Sequence, residues 1–155
     1  MPANEHKIVL VGDTNVGKSS IALRFVKSHF FENAEPTIGA MFLTKKLTNN
    51  NVDYTLNLWD TAGQEKYNSL IPMYYRGADA AIIVYDTTYA NSFESANRWY
   101  NELRRAVPDI FIILVGNKCD LERQVLHSDI KNFVDKHDIE HLEVSAKTNH
   151  NINKI

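Results

Sequence analysis

The stretch Gly12-Asp13-Thr14-Asn15-Val16-Gly17-Lys18-Ser19 constrains this chain more than any other. It fits the spacing G-x-x-x-x-G-K-[ST]. The run Lys7-Ile8-Val9-Leu10-Val11 precedes it, and an amphipathic run from Ser20 to His29 follows. A strand, a glycine-bearing loop and a helix in that order make a phosphate cradle. The glycines let successive backbone N–H groups converge on phosphate oxygens, and the helix N-terminus adds a favourable dipole. Lys18 has the reach for the outer phosphates, and the Ser19 hydroxyl suits Mg²⁺. A turn of this kind without any ligand is the plainer reading, and the flanking pattern argues against it.

The other strand candidates fall into two kinds. Val52, Tyr54, Leu56 and Leu58 alternate with polar residues, the period of a half-exposed strand. Met41–Thr48 precedes them across Asn49-Asn50-Asn51, so the two segments read as an antiparallel hairpin. Ile8–Val11, Ala80–Tyr85 and Phe111–Val115 are continuous apolar runs, as in a parallel sheet covered on both faces. His141–Val144 is a shorter candidate. Helical spacing lies between them: Phe93, Ala96, Trp99, Tyr100, Leu103 and Val107 behind an expected Ser92 N-cap, then Ile130, Phe133, Val134 and His137 behind an expected Ser128 N-cap. Strands alternating with helices predict an α/β fold with a doubly wound, mostly parallel six-stranded sheet and one antiparallel edge strand. At 155 residues the chain reads as a single domain, 1–155.

In such a sheet, ligands sit beyond the carboxyl ends of the strands. Three further motifs stand there. Asp60-Thr61-Ala62-Gly63-Gln64-Glu65 follows one strand, Asn117-Lys118-Cys119-Asp120 another, and Ser145-Ala146-Lys147 a third. Each alone reads as an ordinary turn; four in order on one edge read as one site. Asp60 can orient a Mg²⁺-bound water, and Gln64, both donor and acceptor, can orient an attacking water. Gly63 lets its N–H approach a terminal phosphate. The Asp120 carboxylate only accepts, so it fits the adjacent N1–H and N2–H₂ donors of guanine and not adenine. Lys118 can lay its stem along the base, and the Ala146 N–H can donate to guanine O6.

With these four motifs in place, the chain resembles a Ras-superfamily small GTPase, and within it a Rab. Ile38-Gly39-Ala40-Met41-Phe42, Leu58-Trp59-Asp60-Thr61-Ala62-Gly63-Gln64-Glu65 and Tyr74-Tyr75-Arg76-Gly77-Ala78 carry the Rab likeness. Lys66–Ala78, Phe25-Val26-Lys27 and Ala40–Thr44 are most similar to the early-endosomal Rab subfamily. The resemblance implies the G domain of the P-loop NTPases, with GTP or GDP and Mg²⁺ as cofactors. Nucleotide contacts would come from Asp13, Thr14, Asn15, Val16, Gly17, Lys18, Ser19 and Ser20. Phe30 would lie beside the guanine, and Thr37 would join Ser19 and the water-linked Asp60 at Mg²⁺ in the triphosphate state. Gly63, Asn117, Lys118, Asp120, Ser145, Ala146 and Lys147 would complete the nucleotide contacts, and Gln64 would be catalytic. Phe42, Trp59 and Tyr74 would present the nucleotide state to effectors. The implied activity is slow GTP hydrolysis in vesicle and endosomal membrane traffic. An exchange factor and a GTPase-activating protein would be partners. No Arg lies between Phe30 and Thr37 to act as a finger in cis. Thr14 and Asn15 depart from the small residues often found at their positions, so hydrolysis is expected to differ here.

Two other readings of the same residues differ in class. One is a guanine-nucleotide-binding module without useful turnover, against which Gln64 argues. The other is a P-loop ATPase or small-molecule kinase, against which Asp120 argues.

Composition excludes several functions. The net charge of −2 leaves no footprint for nucleic acid. Cys119 is the only cysteine, so no internal disulfide forms, which suits a cytoplasmic protein. Met1–His6 has no apolar core of a signal peptide and no Gly after Met for myristoylation. The C-terminal stretch Asn149–Ile155 resembles the start of the family's last helix, which is expected to be largely absent. No C-terminal Cys offers a prenylation site, although the family associates with membranes on the cytosolic face. A sheet face left uncovered would invite a homodimer or cover from a partner.

Overall fold

The computed structural model describes residues 4–155, with Glu65 described by its backbone alone. Its strands are β1 (Glu5–Val11), β2 (Ala40–Asn49), β3 (Val52–Thr61), β4 (Ala80–Asp86), β5 (Phe111–Asn117) and β6 (Glu140–Glu143). Its helices are α1 (Lys18–Lys27), α2 (Ile71–Tyr75), α3 (Ala90–Ala106) and α4 (His127–His137). The strands form one sheet in the order β2-β3-β1-β4-β5-β6. Only the β2–β3 pair is antiparallel. Asn50 and Asn51 turn that hairpin at φ 49° and 61°, the left-handed conformation that asparagine tolerates best after glycine.

The continuous apolar strands acquire two buried faces. Val9, Val11, Ile83, Ile112 and Leu114 point to the side covered by α2, α3 and α4. Leu10, Ile82, Val84 and Val115 point to the side covered by α1. Trp99 of α3 is the largest fully buried side chain. Its burial removes roughly 200 Å² of surface from water, on the order of 5 kcal/mol.

Two helix starts differ from expectation. α3 begins at Ala90 and its N-cap is Tyr89, so Ser92 lies inside the first turn. The Ser92 hydroxyl accepts from the Asp86 N–H at 2.9 Å and donates to the Tyr89 carbonyl at 2.7 Å. Closing the β4–α3 turn takes precedence over capping. α4 begins at His127 after an extended Leu126, which places Ser128 in the first turn. Among the described residues no side chain caps either helix. The last strand also runs one residue earlier, at Glu140–Glu143.

Beyond β6 the chain ends in a 3-10 turn, Ile152–Lys154, in contact with α1. Ile152 is fully buried there. Ile8, Phe25, Leu56 and Ile155 are half-buried around a narrow apolar groove whose floor includes Leu10 and Leu58. No described helix is long and apolar enough to cross a membrane.

Candidate nucleotide site

The carboxyl ends of β1, β3, β4 and β5 and the loop after β6 meet on one edge of the sheet. An open cleft of about 290 Å³ lies there. At one end, the loop after β1 curls over the start of α1. Gly17 holds φ 96°, and a Cβ on it would come within 2.1 Å of the Asn117 amide nitrogen. Asn15 also has positive φ, 66°, a conformation that asparagine tolerates better than most residues. Lys18 is almost entirely buried, and its Nζ donates to the Asp13 carbonyl at 2.8 Å. Burial pushes the Lys18 pKa down to about 8 against the opposing pull of Asp60 and Asp13. The ammonium thus rests on a neutral carbonyl that a phosphate would outbid as a partner.

Ser19, Thr37 and Asp60 converge from α1, the 28–39 loop and β3. The Ser19 hydroxyl donates to Asp60 Oδ2 and lies 2.6 Å from the Thr37 hydroxyl. Thr37 Oγ1 lies 3.4 Å from the same carboxylate oxygen. Asp60 is fully buried, and its Oδ1 has no partner among the described residues. Burial pushes its pKa up, and the Ser19 hydrogen bond, Lys18 and the Thr37 hydrogen bond oppose that shift. Two hydroxyls and a buried carboxylate with an unsatisfied oxygen are hard oxygen donors of the kind Mg²⁺ takes, with phosphate and water completing its shell. These residues fit that ion.

The other end of the cleft is knitted by side chains from separate loops. Asn117 Nδ2 donates to the Val16 carbonyl at 3.0 Å, and the Ala146 N–H donates to Asn117 Oδ1 at 3.2 Å. Buried Ser145 donates to Asp120 Oδ1 at 2.7 Å and accepts from the Thr148 N–H at 3.1 Å. Lys118, at φ 64°, pairs with the Asp86 carboxylate at 2.6 Å and donates to the Asn15 carbonyl at 2.8 Å. Its stem therefore crosses the cleft wall.

The structure gathers Thr14, Asn15, Gly17, Lys18, Ser19, Ser20, Phe30, Thr37 and Gly63 around the cleft with Asn117, Lys118, Asp120, Ser145, Ala146 and Lys147. Asp13, Val16, Asp60 and Gln64 lie outside its lining. Val16 packs in the core beneath, and the Asp13 side chain turns to α3. Phe42, Trp59 and Tyr74 form a contiguous run on the β2–β3 face. Phe42 and Trp59 are register partners with rings 5.0 Å apart, and Tyr74 lies 5.6 Å from Trp59.

Two site residues escaped the sequence. Arg24 of α1 donates to the carbonyls of Ala146 and Lys147, each at 2.8 Å, and its guanidinium lies 5.8 Å from the Phe30 ring centroid. The two carbonyl partners are more than 120 positions away, and nothing local marks them. Asp86 holds Lys118, and it could have been found, since it ends β4 as Asp60 nears the end of β3.

A profile of the Ras family matches residues 7–155. The chain belongs to the Ras family. It is 46% identical over 154 residues to the Ras-related protein Rab-5A of Dictyostelium discoideum, which covers 97% of this chain and 77% of that protein. Within the Ras family it is a Rab-type small GTPase of the early-endosomal subfamily. Proteins of the Ras family bind guanine nucleotide and Mg²⁺. The Ras-family fold accounts for the strand-edge placement of all four motifs.

Proposed function

We propose that this chain is a switch that binds GTP, hydrolyses it to GDP and engages effectors in its GTP state during endosomal membrane traffic. The convergence of Ser19, Thr37 and Asp60 from three separate segments carries the reading. At the opposite end, Asp120 held by Ser145 supports guanine selection. Bound Mg²⁺ held by Ser19, Thr37 and, through water, Asp60 would neutralise phosphate charge. Lys18 moves from the Asp13 carbonyl to the phosphates. Thr37 and Gly63 contact the γ-phosphate, each contact worth about 1.5–3 kcal/mol. That is comparable with ordering a few loop residues at ~1–2 kcal/mol each. Loss of the γ-phosphate therefore releases residues 32–40 and 63–75. Tyr74 belongs to the second of these segments and packs through Trp59 onto Phe42, so the three rings transmit the change to effectors.

Gln64 orients the attacking water in this reading. Without an Arg in the 30–37 loop, unaided turnover is slow, and an activating protein supplies ~10³–10⁵-fold in trans. The traffic role comes from the likeness to Rab-5A. Two measurements test the reading. The chain is expected to purify with GDP, and adenine nucleotide in its place would overturn the assignment. Gln64→Leu is expected to bind GTP and lose single-turnover hydrolysis, and an unchanged rate removes Gln64 from the chemistry.

One observation favours a second reading, binding without useful turnover. Thr14 lines the cleft beside Gly63, and Gln64 lies outside the lining. A GTPase assay with added activating protein decides between them.

A further inference from the structure

Asp13 occupies the first variable position of the phosphate loop, and its side chain does not face the cleft. Its Oδ1 accepts two hydrogen bonds from α3, from Trp99 Nε1 and from the Arg98 guanidinium, each at 3.1 Å. The two donors belong to one unit, with the Arg98 guanidinium carbon 4.5 Å from the Trp99 ring centroid. Trp99 is fixed. It is fully buried in the core cluster that also holds Ile71 and Tyr75 of α2. A close-packed core gives such an indole almost no freedom to follow the loop, so the loop is moored to the helix.

The backbone of Asp13 faces the other way. Its carbonyl accepts Lys18 Nζ at 2.8 Å. The Asp13–Thr14 peptide also abuts Gly63. A Cβ on Gly63 would lie 2.4 Å from the Thr14 nitrogen and 2.5 Å from the Asp13 carbonyl carbon. Where that peptide sits decides where Gly63, and Gln64 after it, can sit. One residue thus joins the fixed core on its side-chain side to the segment that carries Gln64 on its backbone side.

We propose that Asp13 is a positioning residue for hydrolysis: moored to Trp99 and Arg98, its carboxylate sets the Asp13–Thr14 peptide against Gly63 and so places Gln64. This rests on the hydrolytic reading above. The base end shares none of these contacts, so loss of the mooring falls on rate more than on affinity. Its loss also leaves the buried indole N–H unpaired, which holds the wild-type arrangement in place.

Asp13→Ala removes the acceptor from a partly exposed loop position. Trp99→Phe keeps a ring and removes the donor, and melting curves report whether each variant folds. Single-turnover GTP hydrolysis is expected to fall about tenfold in both, the size of one charge-assisted hydrogen bond. GDP affinity is expected to fall by clearly less than the rate, because the base end keeps all its contacts. Asp13→Asn, whose Oδ1 still accepts, is expected to recover most of the rate. The double variant Asp13→Ala with Trp99→Phe is expected to be no slower than either single one. The mooring is overturned if Asp13→Ala hydrolyses at the wild-type rate, if affinity falls as far as rate, or if Asn is no better than Ala. A wild-type chain that binds guanine nucleotide without hydrolysing it overturns the hydrolytic reading and this one together. Wild-type hydrolysis retained in Asp13→Ala overturns the mooring alone.

Discussion

The two ends of the cleft are built on opposite principles. At the base end, Asn117 and Ser145 are buried and tie three loops together. The Cys119 N–H donates to the Val144 carbonyl at 3.1 Å, and Arg24 clamps the loop after β6 from below. At the phosphate end, residues 28–39 have no regular structure, and Ile38 is 81% exposed. The Thr37 hydroxyl meets the Ser19 hydroxyl and the Asp60 carboxylate, and one backbone hydrogen bond, Ala62 N–H to the Gly39 carbonyl at 2.9 Å, ties the loop's end to the residue after β3. A surface that chooses a base gains from being preformed, because a mismatched donor then has nowhere to go. A surface that reports a phosphate must let go when the phosphate leaves, so its contacts must be few.

Breaking the base end has the largest expected effect. Asp120→Asn replaces an acceptor for two guanine N–H groups by an amide that suits the 2-oxo group of xanthine. Two hydrogen bonds to a charged group are worth about 3–6 kcal/mol, so GDP affinity is expected to fall ~10²–10⁴-fold while XDP affinity rises. Competition between labelled GDP and XDP measures it. Retained guanine preference would remove Asp120 from base recognition. The phosphate end offers the next largest effect. Thr37→Ala deletes the hydroxyl that touches the Ser19–Asp60 pair and is expected to weaken the Mg²⁺ dependence of GTP-analogue release roughly tenfold. Limited proteolysis of residues 28–39 is then expected to be alike with GTP analogue and GDP. Persistent protection in the GTP-analogue state would show that another contact closes the loop.

The same contrast explains what the sequence made legible. The phosphate end is largely local chemistry. Gly17, Lys18 and Ser19 serve one ligand through adjacent atoms, so their spacing carries the message. The half-exposed β2–β3 hairpin and the doubly buried runs were readable because burial on one or two faces dictates apolar period. The base end depends on side chains that meet only after the sheet forms. Arg24 beside Ala146 and Lys118 beside Asp86 are products of strand order and register. Ser92 and Ser128 misled for a related reason. Their capping propensity is a local preference, and the β4–α3 turn and the extended Leu126 set the helix starts instead.

Arg24 sharpens the comparison at smaller scale. Arg24→Met keeps a stem against Phe30 and removes the guanidinium, which donates to the carbonyls of Ser28, Ala146 and Lys147. Lys147 is exposed and Ala146 buried, so the loss is expected to be about 1 kcal/mol, at the low end for a carbonyl left without its donor, and GDP release about fivefold faster. Hydrolysis of bound GTP is expected to change little, since no contact of Arg24 reaches Thr37 or Gly63. Stopped-flow release of a fluorescent GDP against single-turnover hydrolysis separates the two. An equal change in both would mean that the ends are mechanically coupled.

The smallest effect is a pH dependence confined to the base end. His141 of β6 lies 2.9 Å from the Tyr85 hydroxyl, and Arg123 pairs with Glu143 at 2.5 Å beside it. Burial lowers the His141 pKa below its ordinary 6.5, Glu143 opposes this, and Arg123 and His127 reinforce it. Below pH 6.5 the unfolded chain therefore binds the proton more readily than the folded one, so unfolding free energy falls as pH falls through that window. Protonation would also leave the imidazolium against a Tyr85 phenol whose own ionisation is suppressed by burial. His141→Gln keeps a hydrogen-bonding group toward Tyr85 without the titration. Between pH 7.5 and 5.5 the wild type is expected to lose about 1–2 °C more in melting temperature than this variant. Amide exchange around residues 141–147 is expected to quicken on acidification while that of residues 12–19 holds. Matching acid sensitivity in His141→Gln would place the titrating group elsewhere, and uniform quickening would show that acid loosens the sheet as a whole.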